Sequence, residues 1–192
     1  MRLASAIAAP VALIGGWTIA AQLQPASYDP VTDTISALAG YGATDRLVMT
    51  GALVIVGVSH AVTASQIPEA RTVGRCIYAV GAAATLAVAA LPLPVEGTSP
   101  AHAMAATVAF GALGAWPLFA YRPDAKAWAL RRRASIAAGG VLLGLVGAFA
   151  ISQQVDHIVG LTERIAAGAQ ALWPLVVVIS LRRSEREPQQ GR

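Results

Sequence analysis

Six separate apolar runs organise this chain of 192 residues. Each is about 18 to 22 residues long, the length at which a helix rising 1.5 Å per residue crosses roughly 30 Å of hydrocarbon. A segment in lipid must satisfy its own backbone N–H and C=O groups, so each run reads as a helix. None shows the short alternating pattern of a barrel strand. The spans fall at about Leu3 to Leu23, Leu47 to Ala64, Cys76 to Pro94, His102 to Tyr121, Ala134 to Ser152 and Glu163 to Leu181. A share of 56% hydrophobic against 12% charged residues leaves no soluble domain between them. The expected fold is an all-α integral membrane bundle of six transmembrane helices over residues 1–183. A short polar cytoplasmic tail follows over residues 184–192, with order expected to fade from Arg182. The first run exceeds a signal-peptide core in length and is preceded only by Arg2, so it reads as a retained helix.

Cytoplasmic loops are enriched in Lys and Arg, and this fixes an expected orientation. Of 14 such residues, all but Arg46 and Arg164 fall on one side of the six-span arrangement. Both termini are therefore expected in the cytoplasm, with the protein in the cytoplasmic (inner) membrane. Topology and anionic headgroups account for the net charge of +4 without nucleic acid as a partner. No helix-turn-helix, zinc-finger or RNA-binding signature is present. The single cysteine, Cys76, excludes an intramolecular disulfide and a thiolate cluster, and reads as a buried spectator.

The longest loop, Gln24 to Arg46, contains DPVTDTISALAG, which reads as a short outer helix between the first two spans. Asp29 would be its N-cap, Pro30 its first residue and Gly40 its stop. Val31, Ile35 and Leu38 form an apolar stripe that would lie at the interface or tuck into the bundle mouth. For packing, the sequence offers Gly140 with Gly144, Gly81 with Thr85, and Gly15–Gly16 as close-approach positions. Two Trp-Pro pairs, Trp116–Pro117 and Trp173–Pro174, are candidate kinks.

Chemistry has to come from the few remaining polar residues. On the outer side the topology gathers Asp29, Asp33, Ser36, Asp45, Glu96, His102, Asp156, His157, Glu163 and Arg164. Asp33, His102 and Glu163 are the candidate acid/base residues, and Asp29, Ser36, Arg164 and His157 the candidate binding residues. Asp29 and Asp33, four apart, would share a helix face, where capping and dipole complementation compete with cation binding or acid/base work. Ser36 becomes a nucleophile only with a base beside it in space. His102 follows Ser99–Pro100, a cap and first-turn pair, and is expected to sit wet at the interface. No HExxH or similar spacing occurs, so no metal and no cofactor is expected. Glu163 suits the positive end of the last helix. Arg164 would reach a lipid phosphate, bond Asp29, Asp33 or the backbone of the first outer loop, or bind a substrate phosphate. His60, alone well inside a span, reads as a neutral histidine bonded to a neighbouring helix ahead of a proton relay.

ISAL at Ile35 to Leu38, the span headed by His102, and GLTER at Gly160 to Arg164 followed by Leu172–Trp173 and a basic end resemble domain-of-unknown-function family 998. The resemblance covers nearly the whole chain and implies a six-helix bacterial membrane protein with no agreed catalytic residues. The family carries glutamine before the arginine, where this chain has Glu163. Two functional classes follow: a bundle binding lipid or a membrane partner through a polar extracytoplasmic site, with a homo-oligomer left open, or a membrane-embedded enzyme acting on a lipid or isoprenoid. A small-molecule transporter is a weaker third. The enzyme requires the outer residues to converge on one cavity, whereas binding allows them to be scattered.

Overall fold

The computed structural model describes residues 1–155 and 157–186. Among these residues the fold is all-helical, with six helices long and apolar enough to cross a membrane, and the chain is a multi-pass membrane protein. The spans are α1 (Arg2–Gln22), α3 (Leu47–Ser65), α4 (Thr72–Ala90), α5 (Pro100–Ala120), α6 (Arg132–Ser152) and α7 (Val159–Arg186). A four-residue helix, α2 (Ile35–Leu38), lies between the first two spans, and a single 3-10 turn, Trp128–Leu130, precedes α6.

The spans form a closed ring in which each packs on the next and α7 returns to α1, while α2 sits against α1 and α7. Two apolar clusters fill the ring. One, built around stacked Tyr78 and Trp116 with ring centroids 4.7 Å apart, lies toward the arginine-rich face. The other joins Leu13, Ile35, Leu38 and Met49 beneath the 23–46 loop. At the arginine-rich face Arg2 bonds both Glu69 and Glu185, tying α1 to the α3–α4 loop and to α7.

Several boundaries and contacts differ from the sequence reading for identifiable reasons. Helix α4 begins and ends four residues earlier than expected. Its start is anchored where Arg71 N–H donates to the Ala120 carbonyl, and Leu91, which precedes Pro92, leaves the helical region. Helix α7 starts at Val159 and runs on to Arg186, so Arg182, Arg183 and Arg186 are helical and suit the negative end of its dipole. Residues 187–192 of the expected tail lie outside the described residues. Cys76 is exposed on the outer surface of α4 rather than buried.

Gly140, Gly144 and Gly15 have open space where a Cβ would stand, so they do not mediate packing within the chain, whereas Gly81 and Gly16 do. Helix α6 is the least enclosed span, with 17% of its apolar window buried against 50% in α3 and α7. At Gly74 two spans approach so closely that a Cβ would come within 2.5 Å of Ala120 Cα. Gly74→Ala should therefore lower thermal stability in detergent by about 1–3 kcal/mol, the cost of overpacking a tight contact. Gly140→Ala should leave it unchanged; equal effects of the two would contradict the assigned faces.

Candidate functional site

The mouth opposite the arginine-rich face is built from the loop after α1. Asp29 does not cap a helix. Its Oδ1 accepts from Val31 N–H at 2.8 Å, and Asp33 Oδ2 accepts from Asp29 N–H at 2.8 Å, so the two acids fold residues 29–33 into a tight turn. The helix opens five residues later, where Thr34 is the N-cap and accepts from Ala37 N–H at 3.1 Å. Ile35 and Leu38 are then buried, while Val31 stays 40% exposed, so α2 is a plug in the mouth with two of the three expected apolar anchors.

The first turn of α7 clasps this loop. Leu161 N–H donates to the Val31 carbonyl at 3.0 Å. Gly160 lies so close to the carbonyls of Asp33 and Pro30 that no Cβ fits between them. Arg164 turns neither to lipid nor to a carboxylate side chain. Its Nη1 is shared among the carbonyls of Pro30, Asp33 and Gly160 at 2.8 to 2.9 Å, and its Nη2 donates to the Tyr28 hydroxyl at 2.5 Å. Glu163, 3% exposed, accepts from Ile35 N–H through Oε2 at 2.5 Å. GLTER thus reads as a glycine for approach, a carboxylate for the loop's donors and a guanidinium for its acceptors.

Three of the expected site residues converge. Ser36 Oγ stands 3.3 Å from Glu163 Oε1 and 3.1 Å from His102 Nε2. His102 is not wet at the interface: it is 5% exposed because α5 starts at Pro100 and turns the ring inward. Its Nδ1 is 2.7 Å from the Leu91 carbonyl, which only accepts, so Nδ1 carries a hydrogen. Ser36 then has one hydroxyl proton between two acceptors when Glu163 is ionised and His102 neutral. One further proton, on Nε2 or on Oε1, completes both bonds. The three side chains therefore form a unit that is fully hydrogen-bonded with one shared proton.

The other expected residues stand apart. Asp33 joins the site only through its backbone carbonyl under Arg164. Asp29 is exposed, and so is His157, whose N–H donates to the Val155 carbonyl. Asp156 lies outside the described residues. No three His, Cys, Asp or Glu side chains come together as metal donors among the described residues.

Two hollows adjoin the unit. A cavity of about 70 Å³ runs from Ser36 and Glu163 down to Gln170 and His60, between walls such as Leu53 and Phe110. An open groove of about 440 Å³ lies beside the clasp, lined by Gln24, Ser27, Tyr28 and Asp33 and by Leu93 and Val95. Tyr28, Thr34 and Gln170 were not singled out from the sequence, and Gly160 was noted only as part of GLTER. Gln170, a carboxamide in mid-span that donates to the Phe110 carbonyl at 2.8 Å, carried the one usable signal.

The family model described as "protein of unknown function (DUF998)" matches residues 6–180, and the chain belongs to that family. No curated protein and no solved structure matches the chain.

Removing the acceptor for a buried N–H costs about 1–3 kcal/mol, so Glu163→Ala should destabilise the protein by that amount in thermal unfolding. Glu163→Gln should keep most of the stability, since an amide oxygen accepts from Ile35 and its NH₂ donates to Ser36. An alanine variant as stable as wild type would detach Glu163 from the clasp. The Tyr28 hydroxyl supplies a pH dependence. Burial pushes its titration above the ordinary phenol value, against the opposing pull of the Arg164 guanidinium. A raised folded-state value means stability that is complete below the unfolded value of about 10 and lost as pH rises past it. The melting temperature should therefore fall further between about pH 9 and about pH 11 in wild type than in Tyr28→Phe; identical falls would show that Tyr28 contributes nothing.

Proposed function

We propose that this DUF998 member is a bundle of the bacterial cytoplasmic membrane that binds a membrane lipid at its extracytoplasmic mouth. The orientation is supported by the basic residues of the α3–α4 and α5–α6 loops and of the α7 end, all on the face opposite the clasp. Both termini are then cytoplasmic.

The groove beside the clasp carries the reading. It pairs an apolar wall, Leu93 and Val95, with polar groups at the level where α7 begins, Tyr28 and Asp33. Val95 is 73% exposed, which leaves an apolar side chain facing the level of lipid headgroups. Acids outnumber basic residues on this face, so an amine-bearing headgroup suits it better than a purely anionic one. The open Gly140 and Gly144 face of α6 is available to a second copy of the chain, as in small-residue helix contacts within membranes.

A second reading, an enzyme acting on a lipid or isoprenoid, is favoured by one observation. Ser36 Oγ lies 3.1 Å from His102 Nε2, and the ring is oriented by the Leu91 carbonyl as a nucleophile's base would be. Against it, the N–H groups of Ile35 and Ala37 are already taken by Glu163 and Thr34, which leaves no free amide pair for an oxyanion.

Mass spectrometry of co-purified lipid tests both. Wild type should be enriched in one headgroup class relative to total membrane lipid, and Val95→Asp should lose that enrichment several-fold. Bulk-like lipid in both would remove the lipid-binding reading. Turnover of the enriched lipid that disappears in Ser36→Ala would move the conclusion to the enzyme.

A further inference from the structure

Several polar side chains inside the bundle fall along one line, while others such as Ser135, Ser152 and Ser180 lie off it. From the mouth inward the line runs from His102, Ser36 and Glu163 to the cavity, whose far end holds His60. His60 is 1% exposed, its Nδ1 lies 2.7 Å from the Tyr78 hydroxyl, and its Nε2 has no hydrogen-bond partner among the described residues. Thr63 stands near the Tyr78 hydroxyl, and Thr63 Oγ1 lies 2.9 Å from Ser5 Oγ. Ser5 donates to the Arg2 carbonyl, beside the Arg2–Glu69 pair on the arginine-rich face. Three spans, α1, α3 and α4, contribute to the lower half of this line, and α2, α5 and α7 to the upper half.

The gap between the halves is the cavity. At about 70 Å³ it is several times the roughly 10–15 Å³ of probe volume that one water needs. Its walls are mainly apolar, and Ser36, Glu163, Thr85, Gln170 and His60 are the polar groups along it that offer partners to water. We propose that this line is a proton path through the bundle, with cavity water joining the Glu163–Ser36–His102 unit to His60 and a hydroxyl chain joining His60 to the arginine-rich face.

The transfer balances at every link. A proton reaches His60 Nε2 from cavity water as the water is resupplied by the unit at the mouth. Nδ1 passes its own proton to the Tyr78 oxygen, Tyr78 passes one to Thr63, Thr63 one to Ser5, and Ser5 one to water at the face. One proton enters and one leaves, and each group ends with as many as it held. The hydroxyls and the imidazole must turn back before the next transfer, so the path is slow and is no open pore. The groups with charge or titration along it are Glu163 from α7, His102 from α5, His60 from α3 and Tyr78 from α4. Arg164 and Asp33 flank the mouth, and Arg2, Glu69 and Glu185 flank the exit.

Purified full-length protein in liposomes with an entrapped pH dye, under a potassium diffusion potential, tests the path. Wild type should acidify the lumen several-fold faster than protein-free liposomes. His60→Leu and Glu163→Gln should return the rate to the protein-free value, and Gly51→Ala, where a Cβ meets open space, should match wild type. Tyr78→Phe keeps the ring stacked on Trp116 but removes the hydroxyl, and decides the matter should His60→Leu fail to fold: its rate should also fall to baseline. A wild-type rate equal to that of protein-free liposomes overturns the path. So does a rate that survives in Glu163→Gln and Tyr78→Phe.

Discussion

The structure depends on finding partners for a stretch of irregular backbone at the edge of the membrane. The loop after α1 enters the bundle mouth and forms a helix of four residues, too short to be stable on its own hydrogen bonds. Non-helical backbone at such depth persists only where protein supplies donors and acceptors. One turn of α7 does so with complementary chemistry, the Glu163 carboxylate for the N–H groups of α2 and the Arg164 guanidinium for the carbonyls before it. Because these acceptors are carbonyls, Arg164 keeps its charge uncompensated by an ion pair while using its fixed fork of donors.

From that clasp the rest of the mouth follows. Once α2 is held, Ser36 faces inward and meets His102, and His102 is held in turn by the Leu91 carbonyl at the end of α4. Four elements, α2, α4, α5 and α7, thereby meet through three side chains. The plug also lines the upper end of the cavity, and the Tyr78–Trp116 stack supports the bundle below it. Lipid offers no hydrophobic force to close such a ring. Polar contacts at both ends, the clasp at one and Arg2 with its two glutamates at the other, complement the close contacts at Gly74 and Gly16.

The spans and the family were legible in the sequence because length and apolar runs are local properties that tertiary context cannot override in lipid. The motifs ISAL and GLTER were legible as features, and Arg164 was conspicuous because an arginine has no reason of its own to stand at a helix N-terminus. That it would reach the first outer loop was legible too; the preference for backbone carbonyls over the Asp29 and Asp33 carboxylates was not, since carbonyls leave no trace in residue identity. The start of α2 was misplaced for a related reason. Asp29 and Pro30 make a good cap and first turn, but Asp33 bonds back to Asp29 N–H and Thr34 supplies a competing cap. The glycines of α6 show the same limit: spacing gives the stripe, and only the ring's closure tells which stripe faces a neighbour.

Position 163 separates holding the plug from moving a proton. A glutamine there would accept from Ile35 N–H and donate to Ser36, leaving the Ser36 hydroxyl free for His102, and every bond would be made without an additional proton. A carboxylate achieves the same completeness only by sharing one with His102 through Ser36, and as an ion it carries a desolvation cost that a carboxamide avoids. Stability alone therefore favours the amide. The carboxylate adds one capacity the amide lacks: it can take up and release a proton at the upper end of a cavity whose lower end is an imidazole.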